Sequence, residues 1–455
     1  MARQQTVYVC QSCGGEALKW QGQCPHCAEW NSLSRVTVGP QPERAAPVVA
    51  AALAADTAPS EVISLGMSEL DRVFGGGLTA GSVTLLGGEP GIGKSTLLLQ
   101  VAAQLAAGSA VLYASGEESM QQTVLRAQRL GLDTARLGLL SDSQLEAILE
   151  QAQLRRTRLL LIDSIQTMQS AQGTSGAGSV QQLRECTAAL VRFAKSTHTS
   201  VIIVGHVTKD GSIAGPKLLE HLVDTVLYFE SDAGSRYRML RASKNRFGPV
   251  NELGFFAMTE RGLQEVRNPS AIFLSRRAEP VPGSVVMVAH DGGRSLLIEV
   301  QALVDAARLA MPRRVAQGVD ANRLALLLAV LSRHGGVSLA EHDVFVNLVG
   351  GLQIRETATD LPLLLALVSS LRGAALPATL ATFGELGLTG EVRPVAYGEE
   401  RLRELAKQGY RRVVLPRQNA PRTAPPAGLE VIGVGTLAEA ISAAFGPGAE
   451  VRARS

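Results

Sequence analysis

Residues Val83 to Leu99 read V-T-L-L-G-G-E-P-G-I-G-K-S-T-L-L-L: an apolar run, a glycine-rich turn and a second apolar run of helical character. Gly88, Gly93, Lys94 and Ser95 match G-x-x-x-x-G-K-[ST] without a mismatch, in the strand–loop–helix setting that gives the pattern its meaning. Glycines let the backbone curl until successive N–H groups face one anion, and the helix starting near Lys94 adds the positive end of its dipole. The stretch Gly88, Glu89, Pro90, Gly91, Ile92, Gly93, Lys94, Ser95 and Thr96 is therefore expected to cradle nucleotide phosphates. Lys94 is expected to reach the β- and γ-phosphates, and the Ser95 hydroxyl to complete a Mg²⁺ shell.

A short helix is expected over Ser68 to Phe74, ended by three glycines and leading into the phosphate-loop strand. Ala110 to Ser115 has the pattern of a buried strand and is closed by Gly116-Glu117-Glu118. A carboxylate at that strand end is placed to activate water against the γ-phosphate. Either Glu117 or Glu118 fits, the other then being a charge at a helix N-terminus. Arg158 to Ser164 (R-L-L-L-I-D-S) ends in Asp163, which suits a carboxylate holding Mg²⁺ through water. Val201 to Val204 is another core strand and delivers Gly205, His206 and Thr208 to the same sheet edge. His206 reads as a sensor of the γ-phosphate or as a hydrogen-bonded structural histidine. A helix is expected over Val180 to Thr197, with Cys186 an ordinary apolar residue in it. Gln169 to Val180 is glycine-rich and uncharged, whereas Lys209 to Lys217 (K-D-G-S-I-A-G-P-K) carries two lysines. Two such loops on the carboxyl side of a parallel sheet suit a polymeric ligand, with Lys209 and Lys217 as its contacts.

Four of the five cysteines fall in the first 27 residues, a poor basis for a secreted disulfide scaffold. Cys10, Cys13, Cys24 and Cys27 form C-x2-C-x10-C-x2-C, two knuckles that present four thiolates to one tetrahedral Zn²⁺. A thioredoxin-like redox role competes, but two pairs in a segment too small for its own core argue against it. His26 reads as a bystander, and Tyr8, Trp20 and Trp30 are expected to pack around the knuckles. From Arg35 to Ser60 the composition turns to Ala, Pro, Val and Thr without a period, the mark of a flexible linker.

With 46% hydrophobic and 19% charged residues, wholesale disorder is excluded. Basic and acidic residues number 44 and 41, so a nucleic-acid surface has to be a local patch. No apolar run approaches the roughly 18 residues of a membrane span, and the N-terminus lacks an apolar signal core. A cytoplasmic protein with no membrane partner is expected.

Taken together, the four-cysteine motif, G-G-E-P-G-I-G-K-S-T, S-G-E-E-S at Ser115 to Ser119, L-L-I-D-S and S-K-N-R-F-G-P at Ser243 to Pro249 resemble the bacterial RadA (Sms) family. These are DNA-repair relatives of the RecA recombinase and the DnaB replicative helicase. The resemblance covers almost the whole chain, and S-K-N-R-F-G-P is its most specific element. It implies a homo-oligomeric ring, commonly a hexamer, with ATP between subunits and DNA through the centre. It implies that Lys244 and Arg246 reach the next subunit's ATP site, where cations supplied in trans stabilise the transferring phosphoryl group. It also favours Glu117 over Glu118 as the catalytic carboxylate, and a RecA-type recombinase as partner.

Beyond about Asn268 the pattern changes. Short strands are expected around Ala271 to Leu274, Ser284 to His290 and Leu296 to Val304, with apolar helices at Arg323 to Ser332 and Asp360 to Ser370. This half resembles the proteolytic domain of Lon, through L-T-G-E at Leu388 to Glu391 and V-V-L-P at Val413 to Pro416. Where Lon-type proteases carry the nucleophilic serine this chain has Thr359, and Arg401 stands at the partner lysine. Arginine stays protonated and cannot act as the base of a Ser-Lys dyad, so a scaffold is expected. Arg308, Arg313, Arg314, Arg323 and Arg333 form a local basic excess, which reads equally as a track for duplex phosphates, Arg313 and Arg314 foremost, or as a solvated helix face.

The expected architecture is a C4 zinc module (1–34), a linker (35–60), an α/β RecA-like P-loop ATPase domain (61–268) and an α+β Lon-protease-like domain (269–455). The expected function is a DNA-dependent ATPase of recombinational repair, a ring-shaped helicase or translocase using ATP, Mg²⁺ and Zn²⁺. It would act on single-stranded and branched DNA and promote branch migration with the recombinase. An ATP-dependent Lon-like protease and a non-motor, ATP-switched recombination mediator are the alternatives.

Overall fold

The computed structural model describes residues 5–11, 13, 15–38, 61–171, 176, 178–206, 216–231, 235–275, 279–308, 311–350 and 356–446. The chain forms two compact units, Met1–Pro59 and Ser60–Ser455.

In the first unit, Gln5–Cys10 is the central strand between Glu16–Ala17 and Leu33–Val38. The pairing with the third strand runs from Cys10↔Leu33 to Gln5↔Val38. Arg35 to Val38 is thus strand, not the start of a linker: Val36, Thr37 and Val38 are β-branched, and an antiparallel partner takes up their backbone groups. The linker expected beyond Val38 lies outside the described residues. Cys10, Ala17, Cys24 and Leu33 make a small core, with Tyr8 packed against it. Trp20 and Trp30 stay 57% and 70% exposed, contrary to expectation, because a four-residue core has no depth for an indole.

The second unit starts with helix α1 (Ser68–Phe74), which ends on Gly75 in the left-handed region. Around the phosphate loop lie β1 (Val83–Gly88), α2 (Lys94–Ala106), β2 (Val111–Ser115), α3 (Met120–Leu130), β3 (Gly138–Ser141), α4 (Leu145–Leu154), β4 (Leu159–Asp163), α5 (Val180–Thr197) and β5 (Ser200–His206). Then come β6 (Thr225–Glu230), β7 (Tyr237–Asn245), β8 (Leu253–Thr259) and β9 (Gly262–Glu265). The nine strands form one sheet in the order β9-β8-β7-β6-β1-β5-β4-β2-β3. Strands β6, β1, β5, β4, β2 and β3 are parallel, and the central ones are buried aliphatic runs, as a sheet covered on both faces demands. Two hydrophobic clusters cover the two faces. The register aligns His206 with Gly88 and Ser115 with Asp163, so four strands deliver their carboxyl ends to one edge.

The C-terminal half builds a second sheet from β10 (Ser284–Asp291), β11 (Arg294–Ala306), β12 (Arg314–Gln317), β13 (His342–Leu348), β14 (Leu380–Thr382), β15 (Arg412–Pro416) and β16 (Glu430–Val434), ordered β12-β13-β11-β10-β14-β15-β16. Its helices include α6 (Ala321–His334), α7 (Asp360–Arg372), α8 (Gly398–Lys407) and α9 (Leu437–Phe445). Helix α7 is buried from Asp360 to Ser369 and anchors the larger core. The strand expected near Ala271 to Leu274 is instead a 3₁₀ turn over Pro269–Ile272, since Pro269 fixes its φ and offers no N–H to a ladder. Among the described residues no helix is long and apolar enough to cross a membrane.

Candidate functional site

The loop between β1 and α2 curls through positive φ at Gly88 (+151°), Gly91 (+76°) and Gly93 (+118°). The φ of +118° holds that position to glycine, and the Met258 methyl end packs against it, 2.7 Å from where a Cβ would stand. Gly93 caps α2 without a side-chain hydrogen bond, which leaves the first-turn N–H groups to an anion. Lys94 Nζ donates to the carbonyls of Gly88 (2.7 Å) and Glu89 (2.8 Å). Burial pushes the Lys94 ammonium down to about 8, against the pull of Asp163, Glu117 and Glu89. An anion at the loop restores the charge that burial disfavours. Arg238, on β7, donates Nε to the carbonyl of Ile92 at 3.0 Å. This brace of the loop comes from 146 residues away, and no local pattern announces it.

At the end of β4, Asp163 Oδ2 accepts the Tyr113 hydroxyl at 2.5 Å. Burial and the neighbouring carboxylate hold the Tyr113 phenol well above its usual range, so it remains a donor. Asp163 Oδ1 is buried without a hydrogen-bond partner, the kind of acceptor a hydrated cation satisfies. Asp163 and the first-turn Ser95 are the residues that would hold Mg²⁺, which shields phosphate charge when bound.

The two candidate glutamates have separate fates. Glu117 Oε1 accepts the Ser164 hydroxyl and lies 3.1 Å from His206 Nε2, so three strand ends converge on it. Its side chain is 40% exposed, open to a water. Glu118 instead pairs with Arg126 of α3, and its N–H donates to Ser115 Oγ at 3.0 Å.

Lys244 and Arg246 stand elsewhere. Asn245 pairs with Thr225 and Thr225 with Thr84, whereas the phosphate loop leaves the sheet at Gly88. Four residues along β1 separate the two levels, about 13 Å at 3.3 Å per residue. Lys244 Nζ donates to the carbonyls of Glu220 and Val223, both at 2.7 Å. Arg246 Nη1 pairs with Asp224 at 3.0 Å, its side chain 53% exposed.

Of the DNA-contact candidates, Lys209 and the side chain of Lys217 lie outside the described residues. Arg313 grips Asp343 through Nε and Nη2 at 3.0 and 2.9 Å, and Arg314 donates to the carbonyls of Leu339, Arg313 and His342. Both arginines thereby pin the edge strand β12 to its neighbour.

In the first unit the ligand atoms of Cys10, Cys13, Cys24 and Cys27 all lie within 4.8 Å of one another. The Cys10–Cys27 and Cys13–Cys24 sulfur distances are 3.6 and 3.7 Å. A tetrahedron with Zn–S bonds of 2.3 Å has edges of about 3.8 Å, so the four residues fit zinc. The Glu29 N–H pulls the Cys27 thiol down, but the crowding sulfurs, Cys13 foremost, push it up to about 12, and a dication reverses that.

The Lon-like positions form no dyad. Thr359 is buried and donates Oγ1 to the Glu356 carbonyl at 3.0 Å. Arg401, 1% exposed, donates to the carbonyls of Ala396 (3.0 Å) and Val288 and to both oxygens of Glu356 at 3.2 and 2.6 Å. The adjoining cavity of about 630 Å³ includes Arg323, Glu356, Thr359 and Asp360, and its described lining has neither lysine nor histidine. Glu356 and Asp360 are both paired with arginines, so no lysine of a Ser-Lys dyad faces Thr359 there.

Comparison with known proteins agrees with this layout. The family model described as "AAA domain" matches residues 54–212, "Rubredoxin metal binding domain" matches 8–35, and "Subunit ChlI of Mg-chelatase" matches 319–419. Among solved structures, the "RadB recombinase" aligns over 45% of this chain and 99% of its own, with 24% identity and a TM-score of 0.36. "DNA repair protein RadA" of Pseudomonas aeruginosa is 51% identical, covering 98% of this chain and 100% of that protein. The protein of the same description from Escherichia coli is 52% identical over 96% and 97%, and that from Bacillus subtilis 45% over 98% and 100%. Half of all positions shared from the zinc module through the phosphate loop to the last helix is a full-length kinship, and the chain belongs to the RadA family of DNA repair proteins.

Proposed function

We propose that this protein is a cytoplasmic, DNA-stimulated ATPase of recombinational repair. It works as a ring, commonly of six subunits, that moves on single-stranded DNA and extends branched intermediates alongside a RecA-type recombinase. The family, the RecA-like core and the phosphate loop support ATP hydrolysis. In this reading Lys94 and the α2 N-terminus bind the phosphates, Ser95 and Asp163 hold Mg²⁺, and Glu117 orients and deprotonates the attacking water. Ser164 and His206 meet Glu117 at Oε1, which leaves Oε2 for the proton. Lys209 and Lys217 follow β5 directly and would contact the DNA.

The observation that carries the ring is the placement of Lys244 and Arg246 at the far end of the sheet from their own phosphate loop. Such cations serve phosphoryl transfer only in a neighbour, through a head-to-tail contact of the kind that closes rings.

The test is a mixture. Lys94→Ala and Arg246→Ala proteins should each hydrolyse almost no ATP alone. Mixed in equal amounts they should recover activity, because about a quarter of head-to-tail interfaces then join an intact loop to an intact arginine. No recovery, with ring formation confirmed by light scattering, would falsify the shared site.

A further inference from the structure

Lys244 is the penultimate residue of strand β7, and that strand is gripped from the C-terminal half of the unit. The turn joining β10 to β11 is Asp291-Gly292-Gly293-Arg294, with Asp291 and Arg294 paired across it. It enters a socket made by Arg241 of β7, by Asn251 and Glu252 just before β8, and by Glu69 of α1. The Asp291 carboxylate accepts two amines of Arg241 at 3.1 and 3.0 Å. Arg294 Nη1 donates to both oxygens of Glu69, at 3.1 and 2.8 Å, and its guanidinium lies 5.7 Å from the Phe255 ring centre. Glu69 is 5% exposed at its side chain and also accepts the N–H of Phe255 at 3.1 Å.

Between these ion pairs the Gly292 backbone packs directly on the Asn251 backbone. A Cβ on Gly292 would lie 1.9 Å from the Asn251 carbonyl oxygen, and one on Gly293 2.4 Å from Glu252 Oε1. Both glycines have positive φ, +61° and +68°, as a two-residue hairpin of the I′ kind requires. At Gly292 turn geometry and close approach to backbone exclude a side chain independently; at Gly293, whose neighbour is a movable carboxylate, the turn geometry alone carries the requirement. On the other side of the contact, Asn251 has φ +65° and donates its N–H to the Ala242 carbonyl at 2.7 Å. That bond closes the segment Ser243 to Val250, which contains Lys244 and Arg246. The turn thus bears on the base of that segment.

We propose that Asp291-Gly292-Gly293-Arg294 is a positioning plug that fixes the Ser243 to Val250 segment for delivery to the neighbouring subunit's ATP. The inference rests on the shared-site reading above. It gives the Lon-like half a task in the ATPase cycle: its hairpin carries none of the reacting groups and sets the pose of those that do. Misplacing a reacting group by about 1 Å is enough to cost on the order of a hundredfold.

The experiment uses full-length Gly292→Ala protein, with Asp291→Asn as a second variant that removes the ion pair without adding a Cβ. Gly292→Ala should lower kcat by at least about tenfold, while KM for ATP and the affinity for a fluorescent ATP analogue stay at the parent values. Mixed with Lys94→Ala, it should regain activity, because its own phosphate loop is intact and its neighbour supplies a correctly set segment. Asp291→Asn should show a smaller loss of the same pattern, relieved in Asp291→Glu. Undiminished turnover in Gly292→Ala overturns the proposal, as does a loss that follows nucleotide affinity and is not complemented. Arg246→Ala mixed with Lys94→Ala is the control. If that pair complements and Gly292→Ala does not, the plug alone falls; if that pair also fails, the shared site falls and takes the plug with it.

Discussion

Lys94 and Arg401 are both buried cations beside carboxylates, and their partners differ in kind. Lys94 leans on two backbone carbonyls, with Asp163 and Glu117 near enough to bear on its charge. Arg401 is locked into the Glu356 carboxylate and two carbonyls, and the same carboxylate takes the His290 N–H at 2.9 Å. Carbonyl bonds are readily exchanged for phosphate, which carries more charge; a buried bidentate pair is not exchanged without exposing a lone ion. One half of the unit holds a cation whose partners can be exchanged for a ligand, and the other holds one wholly committed to structure. The lesson is that a matching residue in a matching fold predicts chemistry only when its present partners leave it something to do.

The two glutamates sharpen that comparison most. Glu117→Gln should lower ATP turnover by about 10²- to 10⁴-fold, the usual worth of a positioned general base, with nucleotide binding retained. Glu118→Gln should cost under about 1 kcal/mol of stability through the partly exposed Arg126 pair, and leave turnover near the parent value. Equal losses in steady-state assays would dissolve the distinction between a poised and a structural carboxylate.

Arg401 offers the complementary break. Arg401→Ala leaves the partly buried Glu356 without its cation and two carbonyls without their donor, and should destabilise the fold by about 3 kcal/mol in denaturant unfolding. Arg401→Lys should restore part of that and yield no casein hydrolysis, since the lysine stays paired with Glu356 and the Thr359 hydroxyl stays bonded to the Glu356 carbonyl. Peptide release by the Lys variant would mean that the site is dormant rather than dismantled.

The smallest expected effect lies in pH. The ammonium of Lys94 sits near 8 instead of 10.5, so its charge disappears as pH rises through 8, not through 10.5. Affinity for a fluorescent ATP analogue should fall about tenfold between pH 7 and pH 9, one proton per site. Arg at the same position stays charged over that range, so Lys94→Arg should show a flat profile, whatever its absolute affinity. A flat profile in the parent would place Lys94 in water rather than in the fold.

Much of the first half was legible in the sequence, because its chemistry is local. The phosphate loop, Asp163 at a strand end and the four cysteines are patterns within a few residues, and the structure assembles each as read. In the sequence the preference for Glu117 over Glu118 rests on family resemblance alone; the contacts that separate the two, Arg126 on Glu118 and Ser164 on Glu117, come from different elements. What escaped was long-range. Arg238 on the Ile92 carbonyl, Arg294 on Glu69 and Glu356 on Arg401 span 146, 225 and 45 residues, and each looks like a surface charge in isolation. Trp20 and Trp30 failed differently: a zinc knuckle holds its fold through the metal, so it needs no large apolar core to receive them.

The most direct measurement of the central claim is steady-state ATP hydrolysis without DNA, with single-stranded DNA and with duplex DNA, run beside Arg246→Ala. Strong stimulation by single strands, abolished in the variant, is the expected result. Hydrolysis indifferent to both DNA and Arg246 would contradict it, and would leave an ATP switch rather than a DNA-driven ring.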